Sequence, residues 1–299
     1  MKPLCKTSFY TRLMPLAVVA AIPGGFAAQA NQPFPAGQSS MQGAGEEFGT
    51  IGGPTYADLA DLSDAAQIVL RAQIRKVAEL EPERSPGIAP GHVRLYVEAR
   101  TGALIAGSAP MGESLRYLVD VPRDSRGRAP RLKKQEVLLF AQTVPGRPGE
   151  VQLVSPSAQM MWKPELEARL RPILRDLVAP DAPPVVTGIR DALSVEGNLA
   201  GESETQLFLA TQAGDPVSVT IVRRPGQVPI WGVSWTEIVD QAARPPQPQT
   251  LAWYRLACFL PARLPGEANL SRDAQARARA EADYAFVIQQ LGACERNLG

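Results

Sequence analysis

The chain has 299 residues, 45% of them apolar, with 31 Lys and Arg against 30 Asp and Glu and a single histidine. That length suffices for one large or two ordinary domains, and the apolar content is that of a globular protein. So even a charge balance gives no support to a general nucleic-acid binder, and no nucleic-acid partner is expected.

The first thirty residues have the three parts of a secretory leader. Lys2, Lys6 and Arg12 make a cationic start with no acid before Glu46, and Leu13 to Ile22 is a short apolar stretch. Pro23, Gly24 and Gly25 break it, and Ala28 and Ala30 supply an A-x-A site, so cleavage is expected between Ala30 and Asn31. The apolar stretch is about half of the ~20 residues that span a bilayer. The leader lacks a twin arginine, and Cys5 lies ahead of the apolar stretch, so the expectation is export through Sec to the periplasm as a soluble protein. Loss of three of the 31 cations leaves 28 against 30 acids, a net charge of −2. No later segment is long and apolar enough to span a membrane, so no transmembrane segment is expected in the mature form.

Residues 31–54 are rich in Gly, Ser, Gln and Pro without apolar periodicity and read as a disordered linker. A first domain is expected over residues 55–162. Tyr56 to Asp64 has the spacing of a short helix, with Asp58, Asp61 and Asp64 recurring every three residues. Such a carboxylate row suggests either a cation site or a solvated helix face, and the second is the simpler expectation. Five strand-like segments follow: 67–76, 92–105, 115–121, 136–144 and 150–154. In the second, Val93, Leu95 and Val97 alternate with Arg94, Tyr96 and Glu98. Pro and Gly clusters separate the segments, which together predict a small closed or nearly closed antiparallel β-barrel.

A second, α+β domain is expected over residues 163–299. Pro164 to Val178 reads as a helix that Pro172 should kink or split. Residues 185–195, 203–212, 216–224 and 228–235 read as four strands, with tight turns at Gly214-Asp215 and Pro225-Gly226, hence a four-stranded antiparallel meander. Three C-terminal helices are expected: a short one after Ser234 and Glu237, one over 251–260 capped by Thr250, and one over 272–291 capped by Ser271 and ended by Gly292. Beyond the leader the only cysteines are Cys258 and Cys294. In an oxidising compartment they are expected to form a disulfide rather than remain two buried thiols.

The order AAQIVLRAQI, HVRLYVEA…ALIAG, LRYLVDV and KKQEVLLFAQ, over Leu62 to Val154, resembles the OB-like barrels of the netrin/TIMP-like group. The resemblance implies a buried first strand, a long second strand leading to a Gly, and a late YLV-type strand. The chain as a whole resembles uncharacterised exported proteins of alphaproteobacteria, which implies no activity.

Catalytic signatures are scarce. His92 would have to serve any Ser-His-Asp or Cys-His arrangement, yet it stands at a strand start after Pro90-Gly91, where a loop-edge role is the usual one. One histidine and a cystine do not make a zinc set, so neither metal nor other cofactor is expected. The motif GxSxG is lacking, as are SxxK, HExxH, a Walker loop and GxGxxG. Glu196, Glu202 and Glu204 lie near one turn and could serve a carboxylate mechanism, but such clusters are ordinarily solvated. Trp231, Trp235, Trp253 and Tyr254 could line a groove for sugars or peptides, although core packing is commoner. The main charge feature is RDSRGRAPRLKK, in which Arg123, Arg126, Arg128, Arg131, Lys133 and Lys134 face a single Asp124. It is either a contact for an anionic surface, glycan or protein, or a solvated loop that discourages edge pairing. Two functions remain open: a non-enzymatic periplasmic binding or adaptor protein, and a periplasmic hydrolase using carboxylates or an unusual nucleophile.

Overall fold

The computed structural model describes residues 52–108, 111–236 and 243–298. The leader, most of the linker and most of the short helix expected after Glu237 lie outside these residues. The described residues belong to one unit, 49–299.

Helix α1 (Tyr56–Ala65) starts at a reciprocal cap. The Thr55 hydroxyl accepts the Asp58 N–H at 3.1 Å, and the Asp58 carboxylate accepts the Thr55 N–H at 2.8 Å. Strands β1 (Ile68–Glu79), β2 (His92–Ala106), β3 (Ser114–Pro122), β4 (Glu136–Thr143), β5 (Val151–Leu153) and β6 (Gln159–Met161) form one antiparallel sheet. Its order is β3-β2-β1-β4-β5, with β6 also paired to β4. Alternation along β2 and β3 turns Val93, Leu95, Val97, Leu115, Tyr117, Val119 and Val121 into the hollow of this curved sheet.

A small closed or nearly closed barrel was expected; the sheet is antiparallel as expected but does not close. Its edges, β3 and β5, meet at one parallel bridge between Arg116 and Glu150. The long β2 ends at Gly107, whose φ of 111° is left-handed and where a Cβ would lie 2.6 Å from the Gln67 carbonyl oxygen. Only glycine fits that close approach.

Helix α2 (Pro164–Leu177) runs unbroken through Pro172. Proline removes the hydrogen bond to the Ala168 carbonyl, but both residues lie on the exposed face, where water can satisfy the freed oxygen. Leu170, Ile173 and Leu174 form the buried face. Strands β7 (Val186–Glu196), β8 (Ser203–Thr211), β9 (Val217–Arg223) and β10 (Ile230–Ser234) make the expected meander, in the order β10-β9-β8-β7. Helices α3 (Leu251–Ala257) and α4 (Ala274–Leu291) follow. The cap of α4 is Asp273, not Ser271. Ser271 is buried and its hydroxyl accepts the Ser194 N–H at 3.1 Å, so it joins α4's entry to β7.

The fold is therefore α+β. Its largest hydrophobic cluster crosses the expected 162/163 boundary. Val69, Leu138 and Phe140 from the first sheet pack with Leu59, Leu170, Leu207, Ile221, Tyr254 and Val287 from the helices and the second sheet. Cys258, just past α3, is bonded to Cys294, just past α4.

Candidate binding site

The antiparallel ladder between β2 and β3 has no register shift. The N–H of Arg123 bonds to Gly91, and that of Thr101 to Glu113. Stepping by two from these, residues 115, 117, 119 and 121 turn their N–H and C=O groups to β2, and the even-numbered residues turn theirs outward. Arg116 agrees, since its N–H reaches the Gly149 carbonyl at 2.8 Å on the far side. The same alternation on β5, whose Gln152 pairs with Gln142 of β4, turns Val151 and Leu153 towards β3. Past the Arg116–Glu150 bridge lies a cavity of about 840 Å³, bounded by residues 116–120 on one side and 150–156 on the other. Leu118 and Asp120 thus present their outward main-chain groups along its wall.

Leu118 is 47% exposed, and its cross-strand neighbour Tyr96 also lines the cavity. One step along, Arg94 grips Asp120 with two hydrogen bonds, both 2.7 Å. These bonds hold the Asp120 carboxyl below the usual aspartate range. At the other end Arg116 and Arg147 share Glu150, at 3.7 and 3.4 Å. Arg84 also lines the cavity and has no ion-pair partner among the described residues. Four guanidinium groups therefore face two carboxylates.

The basic segment between β3 and β4 is partly self-neutralised. Asp124 accepts the N–H groups of Arg126 and Arg128 and two bonds from the Arg128 guanidinium, and these hold its carboxyl below the ordinary value. Arg123 pairs with Glu79 at 3.2 Å and donates to the Gly127 carbonyl. Arg126, Arg131, Lys133 and Lys134 are exposed, and their side chains have no ion-pair partner among the described residues. Glu79, the partner of Arg123, adjoins Leu80 of the cavity lining, while no residue of the segment itself lines the cavity.

Other candidates are absorbed by the architecture. Asp58, Asp61 and Asp64 are each committed to protein partners rather than forming a solvated face. Asp58 accepts the N–H groups of Asn297 and Leu298, Asp61 pairs with Arg296 and accepts the Tyr254 hydroxyl, and Asp64 pairs with Arg255. His92 sits at the strand start, with Nδ1 3.1 Å from the Pro90 carbonyl oxygen. Glu196 pairs with Arg279, and Glu204 accepts the Gln206 amide. Glu202 and Glu196 border a second cavity of about 460 Å³. Trp231, Trp253 and Tyr254 are core residues and Trp235 packs against the same cluster, so they form no groove. Buried Asp283 is held by Arg223 and the Thr205 hydroxyl.

Among the described residues no group of three His, Cys, Asp or Glu side chains could hold a metal, and no helix is long and apolar enough to cross a membrane. No protein family matches the chain, and no curated protein does either.

Sequence alternation already put Arg94 and Tyr96 on one face. That this face borders a cavity depends on β5 arriving beside β3, which no local pattern encodes.

Proposed function

We propose that the protein is an exported, non-enzymatic binding or adaptor protein whose ligand sits in the groove between β3 and β5. One observation carries this reading: the two sheet edges meet at Arg116–Glu150 and then leave a cavity of about 840 Å³ beside exposed Leu118. That volume lies within the range of small-ligand sites. The groove belongs to an OB-like barrel left unzipped along one seam; the strand order and the single parallel bridge support that description. Export is supported by the leader's sequence and by the Cys258–Cys294 cystine, which suits an oxidising compartment. Arg126, Arg131, Lys133 and Lys134, exposed and without ion-pair partners among the described residues, add a cationic surface between β3 and β4 that favours an anionic ligand or partner surface.

The rival hydrolase would draw on Glu196 and Glu202 at the second cavity. Glu196 is committed to Arg279, and Glu202 folds back beside Gly197 and Leu199, which favours a structural role for both.

Periplasmic extract passed over the immobilised protein tests the reading, with Leu118→Arg as the groove variant. A stoichiometric ligand that Leu118→Arg releases is expected. Capture unaffected by that change, or reproducible turnover in a broad hydrolase panel, would contradict it.

A further inference from the structure

We infer that the groove takes an extended peptide segment of a partner protein, apolar and carrying at least one carboxylate, which adds to the edge of β3 as a further strand. This inference rests on the binding reading above and names its ligand class.

The wall of the cavity is a strand edge. Leu118 and Asp120 turn their N–H and C=O groups away from β2, and the pairing that serves Arg116 stops at Gly149 and Glu150. Amide edges of this kind are matched best by another main chain, because a peptide repeats donors and acceptors at the same spacing. From Arg116 to Asp120 the edge is about 14 Å long at ~3.4 Å per residue, room for about four or five residues of an added strand. Exposed edges are ordinarily shielded by charge, proline or a covering element. Here the edge charges Arg116 and Asp120 are taken up in ion pairs with Glu150 and Arg94, and Leu118 between them is exposed.

Side-chain recognition follows from the pleat. Residues of an added strand would alternate between the face of Leu118 and Tyr96 and the face of Val119, Val151 and Leu153, so both sets meet apolar surface. Charge selects among apolar peptides. Arg84, Arg94, Arg116 and Arg147 outnumber Asp120 and Glu150 by two. Arg84, with no acidic partner of its own among the described residues, is the position for a carboxylate of the incoming strand. A lysine-bearing peptide would meet an excess of like charge.

The probe is a random octapeptide display library panned against the full chain with its cystine intact. Selected sequences are then titrated as free synthetic peptides, with amide hydrogen exchange followed residue by residue. Enrichment of alternating apolar residues with Asp or Glu is expected. N-methylation of alternate residues should weaken binding more than tenfold in one register and less than twofold in the other. Arg84→Glu should weaken it about tenfold, and the amides of Leu118 and Asp120 should become protected on binding. Leu118→Pro, which removes an outward donor while sparing the β2 ladder, should abolish that protection. Equal effects of methylation in both registers, or no new protection, overturns strand addition. If groove-lining resonances still shift, the broader binding reading survives that result. Failure to select any peptide, or selected peptides indifferent to Arg84→Glu, overturns the peptide assignment itself.

Discussion

Asp64 and Arg255, 191 residues apart, meet in a two-pronged ion pair, with Nη1 2.8 Å from one carboxylate oxygen and Nη2 3.1 Å from the other. The pair braces α1 against α3. Arg255 is 4% exposed, whereas the Asp64 side chain keeps a third of its surface in solvent. Loss of the two partners is therefore not equivalent.

Asp64→Ala strands a buried guanidinium and should cost about 2 kcal/mol, below the ~3–5 kcal/mol of a fully buried pair because solvent already screens the carboxylate. Asp61→Ala should cost about 1 kcal/mol, since Arg296 stays solvated and mainly the Tyr254 hydroxyl loses its acceptor. Urea unfolding at neutral pH of both variants tests the order. A larger loss at Asp61 would contradict it.

Asp58 gives the stability a defined acid limb. Burial alone would raise its pKa, but N–H groups of Thr55, Asn297 and Leu298 outweigh that and hold it below its ordinary value of 3.8. A depressed folded pKa contributes stability that is fully present above the unfolded value and lost as pH falls through the folded one. The chain should lose stability steadily below about pH 4. Asp58→Asn should be weaker at pH 7 and show a shallower decline below pH 4. Parallel acid limbs in urea titrations at several pH values would count against this.

Gly107 and Gly127 form a controlled pair. Both have left-handed φ, but a Cβ at Gly127 meets nothing within 4 Å, while at Gly107 it strikes the chain around Gln67 and Ile68. Gly127→Ala should cost about 1 kcal/mol from backbone strain alone. Gly107→Ala should cost at least twice that, read as a fall in thermal midpoint.

The cystine closes a loop with a sequence separation of 36. Loop entropy puts its removal at about 4 kcal/mol for the Cys258→Ser, Cys294→Ser double variant. Thiol counting on denatured protein from the periplasm also tests export. Zero free thiols are expected if the leader carrying Cys5 has been removed and the bridge formed; one would show Cys5 retained, and two would show the bridge absent.

Much of the fold is visible in the sequence because it is locally encoded. Gly214 and Gly226 mark the turns of the meander, and alternation in β2 identifies its buried side. Strand β6 was missed because Gln159–Met161 is three residues without a β-branched side chain, held by pairing with β4. The row of Asp58, Asp61 and Asp64 was visible as spacing, but its meaning was not, since every partner beyond the helix cap comes from the last fifty residues. The site is subject to the same limit. Its charged residues lie on predicted strands, while the gap that makes them a groove arises from where two distant edges stop pairing.

Residue-resolved amide exchange in the unliganded protein probes that gap most directly. Val119 and Val121, bonded to β2, should be protected at least a hundredfold more than Leu118 and Asp120, whose N–H groups face the cavity. Equal protection of all four would mean that β3 and β5 are zipped together, leaving no groove for a ligand.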